Sequence, residues 1–323
     1  MKKKALKFFD KHTIEIMIVL LGIIVTALVP AFLTTKNLLN VLKNMSVQGV
    51  IAFGMTMVIV SGDLDLSVGS SVALTTVLTG LVAGRLSAAT GLSLDTTIFA
   101  GMLASLLVSI LIGFLNSVLI VKYSMPAMIA TLGMSNIAKG IAAIISEGFP
   151  VLTFPSWWGN IGSYRLFGVI PVPVIILLIV FAITFYLLSY TPYGRSAFAC
   201  GGNKEAARLS GIRVDRTRFT SLIIIQVCSW IAGIMLSGQV MSGNQSFGSG
   251  YEMNAISSVV IGGASINGGV GNMSGTLLGI IFLGILTNGM TLLNIDTYWQ
   301  NVARGLLMLI AVLFSTVRNM KKN

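Results

Sequence analysis

Charged side chains are scarce in this sequence. Asp, Glu, Lys and Arg together account for 10% of the 323 residues, whereas soluble domains carry about 25%. Hydrophobic residues account for 55% of the chain, and the mean hydropathy is +0.91. This composition excludes an ordinary soluble domain and predicts a polytopic membrane protein.

Groups that perform chemistry are almost absent. The chain has one histidine, His12, and two cysteines, Cys200 and Cys228, without CxxC or metal-ligand spacing. We therefore expect reduced, structural cysteines. Because no Ser–His pair or His/Cys cluster is available, we expect no catalytic residues, no metal site and no enzyme activity. A membrane-embedded enzyme is a minor alternative.

The formal net charge of +11 comes mainly from three basic regions. They are the N-terminus with Lys2, Lys3, Lys4, Lys7 and Lys11, the polar stretch 191–217, and the C-terminus with Arg318, Lys321 and Lys322. Short cytoplasmic segments of membrane proteins carry such an excess of Lys and Arg, so we expect these regions to face the cytoplasm beside the lipid headgroups. No basic patch interleaves with aromatic residues, and we expect no nucleic-acid partner.

Apolar segments of about 20 residues predict about ten membrane helices in an all-α fold. The segments cover residues 14–33, 46–61, 66–84, 97–121, 126–146, 171–190, 218–238, 253–264, 274–293 and 298–316. With the N-terminus inside, ten crossings return the C-terminus to the cytoplasm and also place 191–217 there. Segments 46–61 and 253–264 are short for a full span, and the glycine-rich breaks after them indicate discontinuous helices near a permeation path.

A weak internal repeat links these two short segments. Residues 61–69 and 261–269 each follow one of them, and their glycines match at an offset of 200 residues, Gly62 with Gly262 and Gly69 with Gly269. Repeated halves with broken helices surround a central site in many transporters. The alternative is a chance similarity between two glycine-rich turns.

The stretch 191–217 is the only long, strongly polar segment, and it contains a predicted helix. Asn203 is a good N-cap, Glu205 stands where the helix dipole favours a carboxylate, and Gly211 can take the left-handed conformation that ends a helix. These signals predict a helix of about two turns from Lys204 to Ser210, which is marginal alone in water. It needs a surface to lie in, either on its own membrane domain, as an amphipathic connector, or in a groove on a partner.

Several motifs resemble one family, in the same order along the chain. GRSAFACGGNKEAARLSGIRV at 194–214 is similar to the cytoplasmic coupling segment of bacterial ABC importer permeases of the ribose/galactose/simple-sugar type. SGDLDLSVGS at 61–70 resembles the short break of those permeases. ATLG at 130–133, VIGG at 260–263 and GTLLG at 275–279 continue the similarity, which spans most of the chain.

The resemblance implies a single ten-helix permease domain over residues 1–323 in the bacterial plasma (inner) membrane. It implies a second permease copy or a close homologue, a cytoplasmic ATP-binding cassette subunit and an extracytoplasmic solute-binding protein. The chain has no Gly-x4-Gly-Lys-[Ser/Thr] loop, so we expect it to bind no cofactor and the partner subunit to use the ATP. The segment expected to dock on the ATPase comprises Asn203, Lys204, Glu205, Ala206, Ala207, Arg208, Ser210 and Gly211.

The solute implied by the family is a monosaccharide, either a pentose or a hexose, moved by alternating access between outward-open and inward-open states. A nucleoside or a signalling furanose is an alternative solute. A stand-alone, ion-coupled secondary transporter is a less favoured class, because such proteins carry more charged residues deep in their helices.

Candidates for the translocation path are polar and glycine residues inside or between the predicted spans. They are Asp63, Asp65, Asn116, Gly262, Gly263, Asn267 and Asn288. Asp65 is expected to N-cap the following helix, whereas Asp63 lacks that role and is a candidate for tuning the path. Amides suit hydroxyl-rich solutes, although each can instead join two helices. For Lys139, where the family more often has Arg, snorkelling or pairing with a carboxylate is favoured over solute contact.

Overall fold

A computed structural model describes residues 13–320, and the basic N-terminal residues, Lys321 and Lys322 lie outside the described residues. The fold is helical, which confirms the predicted all-α class. The helices are α1 (Thr13–Leu28), α2 (Thr35–Val60), α3 (Val68–Thr90), α4 (Leu94–Ser117), α5 (Ala127–Ile145), α6 (Gly159–Ser163), α7 (Val172–Tyr190), α8 (Pro192–Gly202), α9 (Lys204–Leu209), α10 (Val214–Val240), α11 (Tyr251–Ile261), α12 (Met273–Leu292) and α13 (Thr297–Met320). Between α6 and α7 lies a two-stranded hairpin of β1 (Arg165–Leu166) and β2 (Ile170–Pro171).

Seven of the described helices are long and apolar enough to cross a membrane. These are α2, α3, α4 with its π-helical extension Val118–Lys122, α5, α7, α10 and α12. α1 has 16 residues and α11 has 11 residues, so both are shorter. Each of the ten predicted segments overlaps one of these helices or α13.

The prediction of a short helix at 46–61 is wrong. α2 begins at Thr35 and runs for 26 residues, with the Thr34 hydroxyl accepting a hydrogen bond from the Asn37 N–H at 3.4 Å. Lysines and asparagines interrupt the apolar pattern of its first turns, which hid that part of the helix from a count of hydrophobic residues. All residues from 49 to 60 are buried, so α2 is a central helix of the bundle.

The short helix predicted at 253–264 is confirmed as α11, which has 11 residues. α10 ends before Met241, whose φ is +53°, and the chain then runs without α-helix to Gly250, the N-cap of α11. Within this stretch the Asn244 N–H donates to Thr76 Oγ1 of α3 at 3.2 Å. Non-helical backbone at membrane depth is tolerated only where it is buried in protein or lines a water-filled cavity. The start of α11 is therefore a place to look for a path.

Three connections meet at one end of the bundle, which we name the loop face: α2 to α3, α8 to α9, and α11 to α12. The Gly269 N–H donates to Val60 O at 3.0 Å. A Cβ built on Gly62 would lie 3.3 Å from Gly201 Cα. The two helix breaks of the predicted repeat thus lie beside each other and beside the short polar helix α9.

Candidate functional site

The predicted helix in the polar stretch is present, and its end signals are confirmed. α9 spans Lys204–Leu209, and the Asn203 side chain accepts a hydrogen bond from the Ala206 N–H at 3.0 Å. Glu205 stands in the first turn, where the helix dipole favours a carboxylate. Gly211 has a φ of +81°, the left-handed conformation that ends many helices. The docking role of this segment stays a prediction.

α9 buries one side chain and exposes the others. Ala207 is 4% exposed and packs with Cys200 and Val214, whereas Leu209 is 87% exposed. The other predicted residues of this segment are also exposed: Asn203, Lys204, Glu205, Ala206, Arg208, Ser210 and Gly211. A six-residue helix has little stability alone. It is held by one small apolar contact while it presents a leucine among charges.

α8 connects α9 rigidly to the membrane bundle. Tyr193 in its first turn shares a 2.6 Å hydrogen bond with Ser221 of α10, and burial raises the pKa of Tyr193 to about 12.

Cys200 and Cys228 are free and buried, and burial raises the pKa of the Cys200 thiol. A thiol with a raised pKa is a poor nucleophile, which fits a structural role.

Five glycines bring α8 into contact with both helix breaks. They are Gly62 in the first break, Gly201 and Gly202 at the end of α8, and Gly268 and Gly269 in the second break, and we call them the glycine junction. A Cβ on Gly268 would lie 2.9 Å from the Cα atoms of both Gly62 and Gly201, closer than real Cβ contacts come. Gly268 also has a φ of +89°, so only glycine suits both the space and the backbone. α9 therefore follows directly on a contact that joins the two breaks.

Asp63 forms a buried ion pair with Arg218 of α10. Its Oδ1 accepts a hydrogen bond from Arg218 Nη2 at 2.6 Å and its Oδ2 accepts one from Nε at 2.7 Å, with side chains 3% and 13% exposed. This two-point geometry is among the strongest that a carboxylate forms. Sequence analysis missed the pair because its members are 155 residues apart. The pair holds the first break on α10, and a role for Asp63 in the translocation path stays a prediction.

Asp65 does not cap α3, so that prediction is wrong. The N-cap is Ser67, whose N–H and hydroxyl donate to Asp65 Oδ1 at 2.9 and 2.6 Å. Gln226 of α10 donates to Asp65 Oδ2 at 2.8 Å, and Asn116 of α4 donates to the same oxygen at 3.4 Å. Burial raises the pKa of the Asp65 carboxyl, and these hydrogen bonds lower it in part. The cluster joins two predicted path residues, Asp65 and Asn116, in a cross-link between α4, α10 and the first break.

The other predicted path residues lie apart from this cluster. Gly262 packs against the backbone of α12. The Asn288 side chain exchanges two hydrogen bonds of 2.9 Å with Asn37 of α2, so for Asn288 the helix-joining alternative is the one observed. Gly263, with a φ of +92°, and Asn267 are exposed near the loop face. Of the seven predicted residues, only Asp65 and Asn116 are therefore joined to each other by a side-chain hydrogen bond.

Two charged residues of the bundle were left out of the predicted path. Lys139 is exposed on α5, and the ion pairs among the described residues do not include it, so the pairing that was favoured for it is not observed. Glu252 is half-buried in the first turn of α11, with its carboxylate beside Gly69 of α3. The available signal was a carboxylate two residues after Gly250, at the start of a helix already predicted to be short.

The membrane helices include a broken segment, are joined by internal polar cross-links and carry an exposed basic helix at one face. This combination defines a membrane transport subunit. Over residues 37–312 the chain matches the model of the family described as branched-chain amino acid transport system / permease component, and it belongs to that family. This membership confirms the resemblance to permeases of ABC importers and the expectation of a multi-pass membrane protein.

Curated relatives align with nearly the whole chain. The ribose import permease protein RbsC of Haemophilus influenzae is 37% identical over 320 residues, which cover 98% of this chain and 96% of the relative. The ribose import permease protein RbsC of Bacillus subtilis is 39% identical over 300 residues, with 91% and 89% covered. The L-arabinose transport system permease protein AraH of Escherichia coli is 35% identical over 316 residues, with 98% and 93% covered. No solved structure matches the chain at a significant level.

Proposed function

We propose that this protein is the membrane-spanning permease subunit of an ATP-driven importer that moves a monosaccharide by alternating access. The observation that carries the proposal is the alignment of 91–98% of this chain with permeases named for ribose and L-arabinose, both of which are pentoses. A pentose is therefore the first solute to test. Hexoses, nucleosides and signalling furanoses are the comparison solutes.

The importer needs a motor chain, because this sequence has no nucleotide-binding loop. We infer that a cytoplasmic ATP-binding cassette subunit docks on residues 203–211, with the loop face and both termini cytoplasmic. The exposed Leu209, surrounded by Lys204, Glu205 and Arg208, supports this docking surface, because an apolar anchor with a charged rim suits a groove on a partner. A second permease copy or close homologue and an extracytoplasmic solute-binding protein complete the assembly.

Movement of α9 has a short route to the helix breaks. α8 leads from α9 to the glycine junction, where Gly201 touches Gly62 and Gly268 with backbone atoms. Backbone contacts have no side-chain rotamers to absorb a displacement, so a shift of α8 is passed to both breaks. A switch between two packed arrangements of these elements is the kind of rigid change that ATP binding on the partner would bias.

The docking surface is tested with Leu209→Ala, and Leu92→Ala is the matched control. Leu92 is 53% exposed in the connection between α3 and α4, at a distance from α9 along the chain. Both changes are expected to alter the free energy of unfolding by less than about 0.5 kcal/mol. Leu209→Ala alone is expected to lower the amount of ATPase that co-purifies with the tagged chain by about tenfold or more, because buried anchors dominate interfaces.

The solute is tested in vesicles that contain the full complex, with labelled ribose, L-arabinose, a hexose and a nucleoside. We expect uptake of a pentose that requires ATP and falls with Leu209→Ala. Equal co-purification of the ATPase with both leucine variants would contradict the docking surface. Transport by the purified chain without ATP would overturn the proposal in favour of an ion-coupled transporter.

A further inference from the structure

From Asn136 onward, α5 has two exposed edges of different chemistry. Asn136 and Lys139, less than one turn apart, are exposed along one edge. Ile137, Ile141 and Ile144 are 55%, 44% and 76% exposed along the other. With 3.6 residues per turn, Lys139 and Ile141 point about 160° apart. The isoleucines suit contact with lipid, whereas an ammonium and an amide do not.

The polar edge of α5 lies beside α3, and α3 in turn contacts the start of α11. Ser135, about one turn before Lys139, accepts a hydrogen bond from Ser70 Oγ of α3 at 3.1 Å. The adjacent Gly69 lies against α11, since a Cβ built there would be 2.5 Å from Glu252 Oε2. Lys139, about one turn beyond Ser135, and Glu252, beside Gly69, therefore flank the same turn of α3, and we call the space between α5 and α11 at this turn the cleft.

Neither charge has a counter-ion in contact. The ion pairs within 4.0 Å among the described residues include neither Lys139 nor Glu252. Charged side chains exposed within a membrane bundle face water-filled cavities and not lipid. The non-helical stretch 241–250 that leads into α11 requires the same setting or burial in protein. The stretch is mostly buried in protein, so it is the exposed ammonium of Lys139 that indicates water in this cleft.

We propose that Asn136, Lys139 and Glu252 line the aqueous path of the solute and bind its hydroxyl groups. The ammonium donates hydrogen bonds, the carboxylate accepts them and the amide does both, so the cleft suits an uncharged polyhydroxylated solute. The Asp65 cluster differs, because its carboxylate already accepts hydrogen bonds from four donor groups of the protein. The inference takes its solute class from the proposed function, whereas the placement of water in the cleft does not depend on it.

The test of water in the cleft is cysteine accessibility in the full complex. Lys139→Cys and Asn136→Cys are compared with Ile137→Cys and Ile141→Cys by their rate of reaction with a charged, membrane-impermeant methanethiosulfonate. The wild-type chain measures the background, because Cys200 and Cys228 are buried. The polar-edge cysteines are expected to react at least about tenfold faster than the isoleucine-edge cysteines, because a thiol in apolar surroundings does not ionise.

Each outcome decides a separate point. Equal rates on both edges, with and without ATP, overturn the aqueous cleft even if the complex imports a sugar. Fast polar-edge reaction that the imported sugar slows supports both water and solute contact. Fast reaction that an imported sugar does not slow overturns solute contact. If no sugar is imported while the polar edge reacts fast, the proposed solute class fails and the aqueous cleft stands.

A second comparison separates solute contact from folding. Lys139→Met removes the donor with little change in length, whereas Lys139→Arg keeps the positive charge. We expect Lys139→Met to reduce ATP-dependent uptake about tenfold at an unchanged membrane level, since one hydrogen bond to a charged group is lost. Lys139→Arg is expected to retain most of the uptake. Equal uptake by both variants and wild type would overturn a role for the ammonium.

Discussion

The two helix breaks occupy matching positions in the repeat, but they are held in different ways. The first break, 61–67, contains Asp63 and Asp65, and both carboxylates bond to side chains of neighbouring helices. The second break, 262–272, contains no charged residue and exposes Gly263 and Asn267. The first break is therefore fixed by directional side-chain bonds to two helices, whereas the second is held by one backbone hydrogen bond, from the Gly269 N–H to Val60 O, and by backbone contact at the glycine junction.

This difference predicts unequal mobility. Bidentate and charge-assisted hydrogen bonds fix distance and angle, so the first break is expected to move together with α10. The contacts of Gly268 and Gly269 with α8 are steric, so the second break can slide when α8 is displaced. The repeat would then contain one break that stays fixed on α10 and one break that moves when α8 is displaced.

The largest effect is expected from breaking the ion pair of the first break. Arg218→Met leaves the Asp63 carboxylate buried without its partner, which should lower the free energy of unfolding by about 3–5 kcal/mol. Arg216→Met, at an exposed position on the same helix, is the control. The measurement is the midpoint of thermal unfolding in mild detergent. Equal midpoints for the two variants would show that the first break is not anchored through Asp63.

A smaller effect is expected at the second carboxylate of the same break. Asp65→Ala removes the acceptor of the Ser67 N–H and hydroxyl, and one of the two residues that accept from the Gln226 and Asn116 amides, so it leaves buried donors unpaired at a cost of about 1–3 kcal/mol. Asp95→Ala, in the exposed first turn of α4, is the control. The midpoint of thermal unfolding is measured for both variants, and the amount of each variant in the membrane is measured as a second check. An Asp65→Ala midpoint no lower than that of Asp95→Ala would mean that the cluster does not join α4 and α10.

Features that depend on neighbours along the chain could be predicted. The ends of α9 follow from Asn203 and Gly211, because capping uses groups within one turn. The short α11 followed from its hydrophobic length and the glycines after it. The start of α2 was missed, because lysines and asparagines interrupt its apolar pattern and a hydropathy count treats them as breaks in the span.

Features that depend on partners distant in sequence could not be predicted. Nothing in the local sequence pairs Asp63 with Arg218, or Asn37 with Asn288 251 residues away. The repeat offset predicted two equivalent breaks but not their contact through α8. For Lys139, residue type indicated a polar surrounding, and only the packed bundle places it about one turn from the contact of Ser135 with α3.

The smallest effect on stability is expected from Gly263→Ala in the second break, and Gly268→Ala in the same break tests coupling to the ATPase. Gly263→Ala and Gly268→Ala both place a Cβ at positive φ, which costs about 1 kcal/mol. A Cβ on Gly263 meets no atom within 4 Å, whereas one on Gly268 meets Gly62 and Gly201 at 2.9 Å. Only Gly268→Ala should therefore separate α8 from the breaks and abolish solute-stimulated ATPase activity in the assembled complex. If both variants lose solute-stimulated ATPase activity, the cause is backbone strain and not the contact of Gly268. If both retain it, movement of α8 reaches the breaks by another route.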